Sequence, residues 1–144
     1  LGMNVILLVN LGWSAVLYVL LVLVHREQRR PIGSAGLHGI SGQSRKAGFG
    51  IQIGEKEFWN QGLGREATEL MLEIAFDRLN LNRVELEVYE TNPRAIRVYE
   101  HAGFSSEGVA RQGRWIRGRY VDVRRMAARG QVAGQAQNEH SGPP

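Results

Sequence analysis

The sequence predicts a mixed α/β domain with a largely antiparallel sheet. Three strand segments separated by short polar turns come first, which favours antiparallel hairpins. A helix then connects two strands, and such a crossover normally joins parallel neighbours. A second helix and two further strands complete the order β-β-β-α-β-α-β-β. This order does not fit a repeated βαβ array.

The first three strands are predicted over Tyr18–His25, Ile32–Ile40 and Ala47–Gly54. A helix follows from about Gly64 to Leu79. Its apolar positions are spaced for one helical face, namely Ala67, Leu70, Met71, Ile74 and Ala75.

Arg83–Tyr89 alternates apolar and charged residues, which predicts a strand with one buried side. The next helix is predicted to begin after the cap residue Asn92 and to end at Gly103. Phe104–Ala110 and Tyr120–Met126 are predicted as the last strands, joined by an arginine-rich loop around Gly113.

The composition excludes several chemistries. The 144 residues include no cysteine, so a disulfide framework, a thiolate metal site and a cysteine nucleophile are ruled out. No two histidines have metal-ligand spacing, and we predict no metal. The lack of cysteine is typical of a reducing compartment, and we expect a cytoplasmic protein.

The net charge of +4 is concentrated late in the chain, where seven arginines accompany the single acid Asp122 between Arg111 and Arg129. Such a cluster fits either a polyanionic partner or a solvated surface. No RNA- or DNA-binding motif accompanies it, so we predict no specific nucleic-acid binding.

The first residues form an apolar segment. Met3–Val24 holds 22 residues without a formal charge, long enough for a membrane span and equally consistent with a buried strand. Polar interruptions favour the strand, preceded by an irregular lead-in over residues 1–16. The domain is expected over residues 17–127 and a disordered tail over 128–144.

A glycine-rich turn, Trp59–Ala67, leads into the first helix. Glycines allow close backbone approach, and helix N-termini bind phosphate. The spacing of Gly62, Gly64 and Ala67 also satisfies the dinucleotide fingerprint. Against that reading, Glu55–Asn60 separates the turn from its strand, and antiparallel hairpins precede it.

Four segments in series resemble the GNAT acetyltransferases, most closely the branch acting on ribosomal-protein N-termini and related amines. They are Gly50–Ile53, Phe58–Ala67, Leu79–Leu86 and Glu90–Phe104. The resemblance covers roughly Arg30 to Ala127. It lacks the strand and two helices that normally precede the hairpin strands, so we expect an N-terminally incomplete version of this fold. A homodimer could cover the sheet surface left open.

The resemblance implies an acetyl-coenzyme A site. Its phosphate turn would comprise Gln61, Gly62, Leu63, Gly64 and Arg65. The strand pairing with the pantetheine arm would comprise Ile51, Gln52 and Ile53. The resemblance adds a cofactor contact for Asn92, and it makes Tyr99 the proton donor to the departing thiolate.

The implied reaction is direct attack of a neutral amine on the thioester, the acceptor being a protein N-terminus or a small-molecule amine. A base must take the amine proton, and Glu55, Glu57 and His38 are the candidates. A non-catalytic acyl-coenzyme A-binding or interaction module is the alternative. A domain tethered to a membrane through residues 3–24 is a third reading.

Overall fold

One seven-stranded sheet organises the parts of the chain that this computed structural model describes, residues 3–10, 18–54 and 56–130. The strands are β1 (Met3–Asn10), β2 (Tyr18–His25), β3 (Pro31–Ser41), β4 (Lys46–Ile53), β5 (Arg83–Tyr89), β6 (Ser105–Ile116) and β7 (Arg119–Arg129). They lie in the order β1-β2-β3-β4-β5-β7-β6, and every neighbouring pair except β4–β5 is antiparallel. The predicted mixed, largely antiparallel sheet with two helices is confirmed.

The N-terminal strand differs from the sequence-based expectation. Met3–Asn10 pairs antiparallel with β2, where an irregular lead-in was expected. Its valines and isoleucine have high strand propensity, and β2 offers a free edge for pairing. Residues 11–16 of the predicted lead-in lie outside the described residues. None of the helices in the described ranges has the length and apolarity needed to cross a bilayer.

Two helices pack on one face of the sheet. They are α1 (Leu63–Glu73) and α2 (Pro93–Ala102), which contact each other and strands β3, β4 and β5. Ala67, Met71 and Ala75 of the predicted apolar stripe are fully buried. The helix predicted to Leu79 instead changes after Glu73 into a π-helical turn, in which the Leu79 amide donates to the Ile74 carbonyl at 2.9 Å.

The strands β4 and β5 part after a short parallel stretch. Only Lys46–Gly48 pairs with Arg83–Glu85, although β4 continues to Ile53 and β5 to Tyr89. The facing edges therefore diverge toward their C-terminal ends. A single short parallel pair also differs from the doubly wound sheet of dinucleotide-binding domains.

The last two strands are longer than predicted. The arginine-rich loop expected around Gly113 is part of β6, because a bulge between Ala110 and Arg114 absorbs the extra residues. The connection lies at Arg117 and Gly118, whose φ angles of 49° and 80° suit a two-residue hairpin turn. The predicted tail begins at Ala128, but β7 extends to Arg129, and residues 131–144 lie outside the described residues.

Candidate functional site

A cavity of about 300 Å³ lies between the end of β4, the start of α1 and the face of α2. Eight of the ten residues predicted for the site line it, namely Ile51, Gln52, Ile53, Gly62, Gly64, Arg65, Asn92 and Tyr99. Residues far apart in the sequence are therefore brought to one concave surface. The remaining lining residues are Phe58, Trp59, Asn60, Arg94, Ala95 and Val98.

Gln61 and Leu63 do not line this cavity. The Gln61 side-chain amide donates to the Glu57 carbonyl at 2.6 Å, which ties the turn to the preceding 3-10 turn, Lys56–Phe58. Leu63 is buried in the core. Any ligand contact from these two residues would have to come from the backbone.

The first turn of α1 presents its amides to the cavity without a side-chain cap. Gly62 stands at the cap position with φ 77°, a left-handed conformation that glycine adopts without strain. The first amides of a helix have no intrahelical partner and carry the positive end of the helix dipole. This geometry suits an anion at Gly62 and Gly64.

Two guanidinium groups lie at the cavity, and only that of Arg94 has no carboxylate partner among the described residues. Arg65 forms an ion pair with Glu69 one turn along α1, with 2.7 Å between Nε and Oε1. The Arg94 guanidinium lies 4.0 Å from the ring centroid of Trp59, a separation at which cation and ring attract. No carboxylate is among the described residues that line the cavity.

Trp59 and Arg94 were missed by the sequence analysis as site residues. The Trp59 indole donates to the Ile53 carbonyl at 3.0 Å, which fastens the glycine turn to the end of β4. Arg94 stacks on the same ring from α2. This contact joins residues 35 positions apart in the sequence, so no local spacing predicts it. The tryptophan before the turn and the arginine after Pro93 were its only visible signals.

Tyr99 lies half-buried in the cavity wall. Its ring makes edge-to-face contacts with Phe49 at 6.3 Å and Phe104 at 5.9 Å. Burial raises the pKa of the Tyr99 hydroxyl, which keeps it protonated at neutral pH. The hydroxyl has no hydrogen-bond partner among the described residues, so it is available to donate a proton.

Asn92 has a structural role at the cavity. Its Oδ1 accepts from the Ala95 amide at 3.2 Å and so caps α2, followed by Pro93 at the first helical position. At the other end, Gly103 closes the helix in a left-handed conformation, as predicted. A cofactor contact by Asn92 remains a prediction.

The larger cavity, of about 760 Å³, lies on the other face of the sheet beside the point where β4 and β5 part. Gly48 and His38 line it, and the imidazole occupies the space above Gly48: a Cβ added there would lie 2.2 Å from His38 Cε1. Its other lining residues include three carboxylates and three guanidinium groups, Arg83, Glu85, Glu87, Glu107, Arg114 and Arg125.

Ion pairs connect these charges. Arg83 Nε lies 2.6 Å from Glu85 Oε1, and Arg83 also bonds Glu107. Glu87 lies 3.3 Å from the Arg114 guanidinium. Hydrogen bonds from Arg83 hold the pKa of both Glu85 and Glu107 below the ordinary value. The cavity is therefore rich in charge but balanced in sign.

The three candidate bases occupy different places. His38 lines the larger cavity, whereas Glu57 forms an ion pair with Arg30. Glu55 lies outside the described residues. Within the described ranges, no group of three or more histidine, aspartate or glutamate side chains is placed to hold a metal ion.

The chain matches known acetyltransferases over most of its length. The model of the acetyltransferase (GNAT) domain matches residues 9–105. A spermidine N(1)-acetyltransferase of Vibrio cholerae is 37% identical over 103 residues, which are 72% of this chain and 59% of the relative. Bacillus subtilis YdaF, provisionally named a ribosomal N-acetyltransferase, is 35% identical over 91 residues, 63% of this chain and 49% of the relative.

The solved structures agree with these matches. Vibrio cholerae spermidine N-acetyltransferase in complex with CoA and spermine aligns with a TM-score of 0.72 at 34% identity, covering 78% of this chain and 65% of that one. This chain spans 59% of the length of the Vibrio cholerae spermidine N(1)-acetyltransferase and 49% of the length of Bacillus subtilis YdaF.

Proposed function

Because this chain belongs to the GNAT acetyltransferase family, we propose that it transfers an acetyl group from acetyl-coenzyme A to a primary amine. Acetyl-coenzyme A serves as co-substrate, and no metal takes part. The acceptor is a protein N-terminus or a small-molecule amine.

One observation carries the proposal: the cavity brings together a strand end, a helix start without a side-chain cap and a half-buried tyrosine. Gly62 and Gly64 would hold the diphosphate, and Arg94, stacked on Trp59, would supply a further positive charge. The free edge of β4 beyond Gly48 would pair with the pantetheine amides. The cavity thus matches the co-substrate along its length. Its anion-binding groups would lie beside the diphosphate, and the apolar Ile51 and Ile53 would lie beside the pantetheine arm.

The proposed chemistry needs a nucleophile, a base that takes up the amine proton and an acid that protonates the thiolate. The base stays open among His38, Glu55 and Glu57. The neutral amine attacks the thioester carbonyl, and an amide of β4 stabilises the resulting oxyanion. Collapse of the tetrahedral intermediate breaks the carbon–sulfur bond and releases the thiolate. Tyr99 would donate its proton to that thiolate, because its hydroxyl is protonated at neutral pH and has no hydrogen-bond partner among the described residues.

The acceptor is proposed only as a class. Spermidine and spermine appear in the names of the Vibrio cholerae relatives. In this chain the carboxylates of the larger cavity are paired with arginines, so they do not present the net negative charge that would single out a polycation. Location in the cytoplasm and assembly as a homodimer also remain predictions.

A non-catalytic acyl-coenzyme A-binding module is the second candidate. The observation that favours it is that neither His38 nor Glu57, the candidate bases within the described residues, lines the smaller cavity. Binding of the co-substrate does not require a base.

Two measurements on the purified chain separate these candidates. Calorimetric titration with acetyl-coenzyme A measures binding, and colorimetric detection of the released thiol measures transfer to a panel of spermidine, spermine and N-terminally free peptides. Binding with turnover supports the transferase. Binding without turnover on any amine supports the module, and absence of binding contradicts both.

A further inference from the structure

The β6–β7 hairpin extends beyond the rest of the sheet. The last pair between β5 and β7 joins Tyr89 to Val123. Past that pair, residues 119–121 of β7 pair only with residues 114–116 of β6. We call residues 114–121 the tip hairpin. Among the described residues it is a two-stranded ribbon without a third strand beside it.

Two large aromatic side chains are exposed on this ribbon. Trp115 and Tyr120 pair directly across the strands and remain 62% and 59% exposed. Their ring centroids lie 4.7 Å apart at an interplanar angle of 71°. Trp115 and Tyr120 are the most exposed large hydrophobic residues in the described part of the chain. Tyrosine and tryptophan are enriched at interfaces, because an apolar ring carries a polar group that can stay hydrated.

Arginines surround the aromatic pair. Arg114 is held by Glu87, and Arg111, just before the ribbon, by Asp122 at 2.9 Å. Arg117 and Arg119 flank Gly118 at the turn and form no ion pair or hydrogen bond with any side chain in the described ranges. The end of the ribbon thus carries two uncompensated positive charges beside two flat apolar rings.

We propose that the tip hairpin binds single-stranded nucleic acid without sequence preference. Bases would stack on Trp115 and Tyr120, while Arg117 and Arg119 would contact phosphates, the combination that single-strand-binding surfaces use. An acidic peptide would match the arginines but would leave the ring faces unused. Symmetric pairing of two copies through this ribbon would bring Arg117 and Arg119 against their own counterparts, which like-charge repulsion disfavours at this surface. The proposal does not depend on acetyl transfer.

The test is fluorescence anisotropy with a labelled oligouridine of about 12 nucleotides. Saturating coenzyme A is present throughout, so that nucleotide binding in the cofactor cavity does not contribute. We expect Arg117→Gln combined with Arg119→Gln to weaken binding at least fivefold and to reduce the slope of log K against log salt by about 1.4, since two phosphate contacts are lost. The matched control combines Arg78→Gln with Arg97→Gln, two exposed helical arginines, and should leave binding unchanged.

The aromatic contribution is tested separately. Trp115→Ala should weaken binding about tenfold without changing the salt slope, because stacking involves no counterion release. Circular dichroism checks that each variant is folded, and the arginine variant keeps the aromatic pair of the ribbon intact.

Four results would each overturn the proposal. The first is no binding of oligouridine by the wild-type chain at low salt. The second is an equal loss in the tip and control variants, which would indicate general charge attraction. The third is equally tight binding of oligoglutamate, which would point to an acidic protein partner. The fourth is a change of sedimentation mass in the tip variant, which would identify an interface between copies.

Discussion

Substitutions at Gly64 should affect the stability of this protein and its affinity for the co-substrate differently. A Cβ built on Gly64 would lie 3.8 Å from Ile53 Cδ1 and 3.8 Å from Val98 Cγ1, which is ordinary van der Waals contact. An alanine there is therefore accommodated by the folded protein. Both neighbours line the smaller cavity, so the added atoms would stand where the diphosphate is proposed to bind.

A side chain at Gly64 can raise the stability of the helix and, if large enough, lower the affinity for acetyl-coenzyme A. Alanine is favoured over glycine in a helix by up to about 1 kcal/mol, so Gly64→Ala should raise the melting temperature by a few degrees. Loss of one hydrogen bond to a charged group costs about 1.5–3 kcal/mol. If Gly64→Val prevents such a contact, the dissociation constant for acetyl-coenzyme A should rise roughly tenfold to a hundredfold.

Thermal unfolding without ligand and calorimetric titration with acetyl-coenzyme A measure the two effects on the same samples. Gly42→Ala is the matched control, because Gly42 lies in the β3–β4 turn and a Cβ there meets nothing within 4 Å. Wild-type affinity in a folded Gly64→Val variant would refute the placement of the diphosphate at this turn.

The remaining predictions concern the acid, the cap, the stacked arginine and the charge network. Tyr99→Phe should lower kcat at least tenfold while leaving acetyl-coenzyme A affinity nearly unchanged, and equal turnover would remove the hydroxyl from the acid role. Asn92→Ala should lower the free energy of unfolding, measured in urea, by about 1 kcal/mol. Asn92→Ser keeps an oxygen that can cap α2 and should keep most of that stability, so an equal loss in both variants would contradict the capping role. Arg94→Gln should weaken acetyl-coenzyme A binding more than fivefold but leave S-acetyl-pantetheine, which lacks the nucleotide, unaffected, and calorimetry with both ligands checks this difference. Hydrogen bonds from Arg83 lower the folded-state pKa of Glu107, so the free energy of unfolding should fall as the pH drops below the ordinary glutamate pKa near 4.5 and the carboxylate protonates. Arg83→Gln should flatten this decline, measured as urea midpoints across the pH range. An unchanged decline would contradict the role of the Arg83–Glu107 pair.

Local sequence signals predicted most elements of the fold. β2 and β5 have the predicted bounds, and the cap at Asn92 and the left-handed end at Gly103 lie where their residue types place them. These features depend on neighbours within a few positions. The period of apolar residues and the preferences of asparagine and glycine are visible in one sequence.

Features that depend on distant contacts were not predictable in this way. The sequence around Gly113 looks like a loop, but a bulge keeps it in β6. That bulge depends on pairing with β7, where Asp122 Oδ1 accepts a hydrogen bond from the Gln112 amide at 2.8 Å. The stacking of Arg94 on Trp59 likewise exists only once α2 packs beside the glycine turn. The strand at Met3–Asn10 requires the edge of β2 as its template.

The most direct test of the account is the preference of the wild-type chain among nucleotide ligands. Isothermal titration with acetyl-coenzyme A, coenzyme A and a nicotinamide dinucleotide compares the three under one set of conditions. We predict saturable heats with both forms of coenzyme A and none with the dinucleotide. Heat with the dinucleotide alone would contradict the assignment of the glycine turn and of the cavity around it.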